Sequence, residues 1–286
     1  MTLFLASRSG FFKTTATIAV VLGGSFLPSS VASERGQTII KMKDMRPAVL
    51  PLSTNSITDA QDAQHWGTAF AVGNTRTLVT ADHVVRDLSQ LIQSRSPVEP
   101  REFLTVLVKE GGLQPSYTSV PVEIVTENRD LDLAILKFTT PMSSKASPTE
   151  LDSLEIDADS EMEPGDPVDI MGYPLLSPYS SDEFARFQPS ELPALILSFR
   201  LAVVVTPAHI AGSTRVLNSA QQDPRGHITT KQQLLILDHP AAPGNSGGPV
   251  VSGHTGKVVG VVVRTNAFGY SFAVSAHDLS QVVKEH

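Results

Sequence analysis

From Trp66 onward the chain is written in short apolar runs cut by turn-forming residues. GTAFAVG, RTLVTADHVV, FLTVLVK, VPVEIVT, LDLAILKF, DPVDIMGYP, ALILSFRLAVVVT, QQLLILDHP, GPVVSG, GKVVGVVVRT and YSFAVSA are rich in valine, isoleucine and leucine, with glycine, proline, asparagine or aspartate near their ends. β-branched side chains suit a pleated surface, and the punctuating residues suit turns. Many short runs at this spacing predict an all-β barrel or sandwich. One stretch has helical spacing instead. In VSAHDLSQVVKEH, Leu279, Val282 and Val283 fall on one face, which predicts a C-terminal helix. Two segments break the rhythm. ELDSLEIDADSEMEPGD (150–166) holds eight carboxylates at a spacing that matches no EF-hand loop, and reads as a solvated linker between two halves, placed at about 145–166. Residues 174–193, rich in serine and proline, read as a long loop. No internal repeat is visible.

The first residues follow another pattern. MTLFLASRSGFFK carries Arg8 and Lys13 and no acid, TTATIAVVLGGSFL is an apolar run short for a membrane span, and SSVAS supplies small residues. This order predicts a signal peptide over 1–33, cut after Ala32 or Ser33, with a retained anchor as the alternative. Residues 34–60, mixed and polar with Pro47 and Pro51, read as a leader ahead of a domain spanning 61–286.

Composition narrows the functions. A net charge of −7, a pI near 5.6 and no basic block argue against nucleic acid as a partner. The absence of cysteine excludes disulfides, thiolate metal sites and a cysteine nucleophile. An exported chain without cysteine suits a periplasm or the exterior, where disulfides are permitted but not required. No H-E-x-x-H occurs, and no metal or cofactor is expected.

The chemistry concentrates in HPAAPGNSGGPVVSG, where Ser246 sits between Gly244 and the pair Gly247 and Gly248. Glycines at such density indicate a backbone shape that side chains forbid. Ser246 is either a turn residue or a nucleophile, and a serine nucleophile needs a base. Of eight histidines, His83 follows the apolar run RTLVT and sits where a strand ends. A histidine base needs an acid to fix its tautomer. NRDLDLAILKF offers Asp130 and Asp132, the latter abutting the apolar LAILKF.

TADHVV, DLAIL and GNSGGPVV, in the order His, Asp, Ser, resemble the trypsin/chymotrypsin superfamily of serine endopeptidases, and in particular its bacterial HtrA (Deg)-type branch. The resemblance spans about residues 64–284 and is thin between 174 and 235. It implies two perpendicular six-stranded β-barrels with the site in the cleft between them. His83 would then be the general base, Asp132 its orienting acid and Ser246 the nucleophile that forms an acyl-enzyme. The N–H groups of Gly244 and Ser246, flanked by that of Asn245, would stabilise the oxyanion. The stretch around His239, Pro240 and Ala241 would wall the specificity pocket, with Val262, Val263 and Arg264 opposite.

The sequence also departs from that family. Asn245 stands where trypsin-like digestive enzymes carry the aspartate that binds a newly cut N-terminus, so trimming of 34–60 is not expected to be needed for catalysis. Pro240 stands where trypsin carries its specificity aspartate, so basic side chains are not expected in the pocket. The valines favour small or aliphatic ones, while Arg264, if turned inward, would draw an acid. A PDZ domain after the protease-like region is not expected, so the regulation known for HtrA proteases is not expected to carry over. Protein or peptide substrates are the expected partners. The alternative is a protease-like binding or chaperone module without catalysis.

Overall fold

The computed structural model describes residues 45–54, 67–73, 77–95, 103–110, 116–139, 153–174, 203–217 and 231–285. The expected signal peptide and nearly all of the serine- and proline-rich loop lie outside them. Among these residues, twelve strands close into two antiparallel barrels, and closure leaves neither barrel with an open edge. The first barrel holds β1 (Val49–Thr54), β2 (Gly67–Val72), β3 (Thr77–Thr80), β4 (Leu104–Glu110), β5 (Ser116–Asn128) and β6 (Leu133–Phe138) in the order β1-β2-β3-β6-β5-β4. The second holds β7 (Pro167–Gly172), β8 (Val204–Leu217), β9 (Lys231–Leu237), β10 (Pro249–Ser252), β11 (Val258–Thr265) and β12 (Ser271–Ser275) in the order β10-β11-β12-β9-β8-β7. Registers shift at Ile124/Thr126 in β5, Ile210/Gly212 in β8 and Val262/Arg264 in β11, the irregularities by which strands bend around a barrel.

β1 corrects the domain boundary read from the sequence. It lies inside 34–60, yet it pairs with β2 (Leu52↔Gly67) and with β4 (Leu52↔Val106), and all six of its residues are buried. Pro47 opens a short 3-10 turn, Arg46–Ala48, that leads into it. The barrel begins at this segment, and Pro51 is accommodated because it pairs only with Thr68 of β2, the pairing with β4 covering Leu52 to Thr54, so its missing N–H leaves a ladder bond unmade on the unpaired side at most.

Among the described residues, two α-helices accompany the barrels. α1 (Asp82–Arg95) follows β3 directly. The sequence reading treated its first turn as a strand end because two β-branched valines follow an apolar run. The helical stripe is nonetheless present: Val84, Val85, Leu88 and Ile92 recur on one face, and Val85 and Leu88 are fully buried. α2 (Ala276–Lys284) matches the expected C-terminal helix. Ser275 caps it by accepting the Asp278 N–H, and the Asp278 carboxylate accepts the Gln233 N–H at 2.9 Å, fastening the helix to β9. Leu279 and Val282 enter the core.

The described part of the acidic segment, 153–166, lies between β6 and β7 and stitches the two barrels together. Leu154 N–H donates to Ala71 O (2.9 Å) in the first barrel, and Val258 N–H of the second barrel donates to Glu155 O (2.8 Å). Beyond it, the apolar core of the first barrel runs without a break into Met171, Val261, Val263 and Val274 of the second. The barrels therefore cannot part without exposing apolar surface.

Truncation through Thr54 is expected to abolish the cooperative unfolding of the chain. Leu52→Ala is expected to lower stability by about 2–5 kcal/mol, the usual range for a buried leucine. Urea denaturation followed by fluorescence checks both. A truncated chain that unfolds like the full one would contradict the place given to β1.

Candidate active site

The end of β3 and the turn before β6 face each other. His83, in the first turn of α1, donates its backbone N–H to Asp132 Oδ1 (2.9 Å), and its Nδ1 lies 2.9 Å from Oδ2 and 3.1 Å from Oδ1. The carboxylate thus grips both the main chain and the ring. An acceptor at Nδ1 places the proton there and leaves the Nε2 lone pair outward. Asp132 is the only non-glycine described residue with a positive φ, 56°. Aspartate tolerates this left-handed region better than most residues. The turn is braced on both sides: Asn128 Oδ1 accepts the Leu131 N–H (3.0 Å), and Gln232 Nε2, from β9 of the other barrel, donates to Leu131 O (2.8 Å). Of the two aspartates read from the sequence, Asp132 is the one that meets His83.

Across from this pair lie two consecutive turns. In the first, Asn245 N–H donates to Ala242 O (3.0 Å), with Pro243 second and Gly244 third at φ 93°. In the other, Gly248 N–H donates to Asn245 O (2.9 Å), with Ser246 second and Gly247 third at φ 83°. A positive φ at the third position alone marks type II turns, which require glycine or asparagine there. Gly247 is needed for a further reason. A Cβ on it would lie 2.2 Å from Thr80 Oγ1 and 2.8 Å from Ala81 N, so any side chain would push Ser246 away from the segment that carries His83.

Thr68 of β2, fully buried, fixes how this loop faces. Its N–H donates to Ser246 O (2.9 Å) and its Oγ1 to Gly244 O (2.8 Å). Oγ1 also accepts the Tyr173 N–H (3.0 Å), and Thr68 O accepts Thr80 Oγ1 (2.7 Å). The peptide units after Gly244 and Ser246 are held at their other end too, by Asn245 N–H to Ala242 O and Gly247 N–H to Val262 O (2.7 Å). Among the described residues, the N–H groups of Gly244 and Ser246 have no acceptor. This pattern corrects one expectation: the Asn245 N–H is committed to its turn and is not a free donor. Asn245 itself is buried and its Oδ1 has no partner, a place where a charged carboxylate would be costly. Ser246 Oγ has no hydrogen-bond partner among the described residues. Catalytic contacts often tighten only when a substrate binds.

The remaining residues singled out in the sequence fall beside this loop. His239 and Pro240 are exposed and Ala241 is buried. Asp238, just before them, accepts the His209 N–H (2.7 Å) and faces His209 Nδ1 (3.2 Å), and these bonds hold its carboxyl below the usual range. The side chains of Val262 and Val263 are packed in the apolar cores, and Arg264 points outward over the Phe272 ring, 5.3 Å from its centre. Two hydroxyls missed in the sequence lie here instead. Thr265 Oγ1 donates to Ala241 O (2.9 Å), and Ser271 Oγ donates to His239 O (2.7 Å) and accepts the Ala241 N–H. Thr68, Gln232, Thr265 and Ser271 carry no motif of their own, so only the fold reveals them. No group of three or more His, Cys, Asp or Glu among the described residues is placed to hold a metal ion.

Residues 67–261 match the family described as trypsin-like peptidase domain. No curated protein sequence matches the chain. Solved structures share the fold at low identity. The Rv3671c protease of M. tuberculosis, in its inactive form, aligns with a TM-score of 0.53 at 18% identity, over 86% of this chain and 91% of that one. Deg5 aligns with a TM-score of 0.54 at 16% identity, over 88% and 92%. The serine endoprotease from Yersinia pestis aligns with a TM-score of 0.53 at 17% identity, over 87% and 65%.

Thr68→Val keeps the N–H to Ser246 O and removes the hydroxyl bonds. It is expected to slow reaction of Ser246 with a fluorophosphonate by about 10-fold or more, the equivalent of one to two lost hydrogen bonds. Labelling kinetics on folded protein check this. An unchanged rate would show that Thr68 does not shape the loop.

Proposed function

The chain belongs to the trypsin-like peptidase family and is a hydrolase of the serine endopeptidase class, and on that premise we propose that Ser246, His83 and Asp132 cleave peptide bonds through an acyl-enzyme. As Ser246 Oγ attacks the carbonyl carbon, its proton passes to His83 Nε2, while Asp132 holds the ring and stabilises the imidazolium. The carbonyl π pair moves to oxygen, which receives the Gly244 and Ser246 N–H groups. His83 then gives the proton to the leaving nitrogen as the C–N bond breaks. Water, deprotonated by the same imidazole, releases the acyl group and restores Ser246. The observation that carries this reading is the bidentate His83–Asp132 contact, together with a glycine-rich loop around Ser246 in which two amides have no acceptor among the described residues.

Side-chain preference follows from the two walls beside Ser246. The loop 241–246 and strand β11 meet at the Gly247 N–H to Val262 O bond and are joined again by Thr265 Oγ1 on Ala241 O. A gap bridged that close to the nucleophile suits a small side chain on the residue whose carbonyl is attacked. The exposed Arg264 over Phe272 gives no support for an acidic one. The pattern of residues 1–33 supports action outside the cytoplasm, after removal of that segment or tethered by it. Cell fractionation with N-terminal sequencing separates these, and a full-length cytoplasmic chain would refute export.

Ser246→Ala is expected to abolish both proteolysis of an unfolded protein and fluorophosphonate labelling without unfolding the chain. Retained cleavage would end the assignment, and a native protein that never labels would favour a binding module. Thr265→Gly is expected to raise kcat/KM for leucine relative to alanine before the cut bond by roughly 10-fold or more. Profiling that finds large side chains preferred by the native enzyme would contradict the closed pocket.

A further inference from the structure

The mechanism gives work to Asp132 and none to Asp82, yet Asp82 is the more deeply buried. Its side chain is 1% exposed, against 29% for Asp132. Among the described residues, neither of its carboxyl oxygens receives a hydrogen bond. Arg86 Nε, one helical turn on, lies 3.5 Å from Oδ2, with 43% of its own side chain in water. A buried carboxyl without donors is an unfavourable choice for structure alone, since an amide would fill the space without a charge.

Its position says what the charge touches. The Asp82 N–H donates to Asp132 O (3.1 Å), and the next amide, that of His83, donates to Asp132 Oδ1 (2.9 Å). Residue 82 is therefore clamped to the turn that carries the orienting acid, immediately before the base. The other charged groups around it are Arg86 on α1, Glu127 at the end of β5, and Arg129 and Asp132 in the turn before β6. Burial pushes its carboxyl up from the ordinary range, Arg86 opposes this, and Glu127 and Asp132 add to it.

We propose that Asp82 is an electrostatic positioning residue: its buried charge, balanced by Arg86, biases how readily the His83–Asp132 pair takes up a proton. The proposal rests on the reading of His83 as the general base. An anion held near an imidazole favours the imidazolium, and low local polarity weakens screening.

The sign for stability follows. A carboxyl that holds its proton more tightly in the fold than in the unfolded chain makes stability fall as pH rises through its folded range. Asp82→Asn is therefore expected to fold and to have a raised thermal midpoint at neutral pH. Arg86→Gln, at a half-exposed site, serves as the second variant.

The test is the pH titration of the His83 imidazole by NMR in the native enzyme, Asp82→Asn and Arg86→Gln, alongside the pH dependence of fluorophosphonate labelling. Asp82→Asn is expected to move the His83 midpoint down and Arg86→Gln to move it up, each by about half a pH unit. The acid limb of labelling should follow in both. A His83 midpoint unmoved in both variants would overturn the proposal, because a purely structural carboxyl alters stability but not that titration. Midpoints that move as expected in a protein that never labels at Ser246 would uphold the charge coupling and refute the proposed function instead.

Discussion

Everything in the site depends on a buried hydroxyl and amide reaching across from one barrel to the other. Thr68, on β2 of the first barrel, takes the carbonyls of Gly244 and Ser246 from the second, and also holds the Tyr173 amide at the end of β7. Neutral hydrogen bonds of this kind contribute about 1 kcal/mol each. Their importance here is directional. They fix alternate peptide units of one loop, and the intervening N–H groups of Gly244 and Ser246 have no acceptor among the described residues. A preorganised donor is useful because it need not reorient as charge develops.

The same logic operates on the other side of the cleft. Asp132 adopts a backbone conformation unusual for a side-chain-bearing residue, and in doing so its carboxylate reaches both the backbone N–H and the ring Nδ1 of His83. That turn is not held by its own barrel alone. Gln232 supports it from β9, and Tyr173 Oη donates to Val49 O, a further buried bond between the barrels. Each half of the site is thus braced by the opposite barrel. A continuous apolar core and the strand-like contacts of residues 154–157 hold the two halves together. Single-barrel fragments would lack not only a partner residue but the forces that orient their own.

Much of this was legible in the sequence where a residue type has one physical use. Alternating apolar runs and turn residues gave the all-β class, and the glycines around Ser246 announced turns of positive φ. The resemblance carried by TADHVV and DLAIL pointed to His83 and Asp132, which the fold brings into contact. The sequence misled where local pattern was ambiguous. The start of α1 reads as a strand because Val84 and Val85 are β-branched and favour strands, and the helix becomes evident only once Leu88 and Ile92 are counted on the same face. β1 was hidden by Pro47, Pro51 and polar neighbours, since its burial comes from β2 and β4 rather than from its own composition. The commitment of the Asn245 amide, the bridge from Thr265 to Ala241 and the hub at Thr68 are contacts between distant segments. No local pattern encodes them.

The most direct test of this account is a crystal structure of the enzyme with a peptide boronate bearing alanine at the reacting position. The account requires a bond from boron to Ser246 Oγ, one boronate oxygen within hydrogen-bond distance of both the Gly244 and Ser246 amides, and His83 still clasped by Asp132. A boronate bound elsewhere, or bound at Ser246 with its oxygen turned away from those two amides, would contradict it.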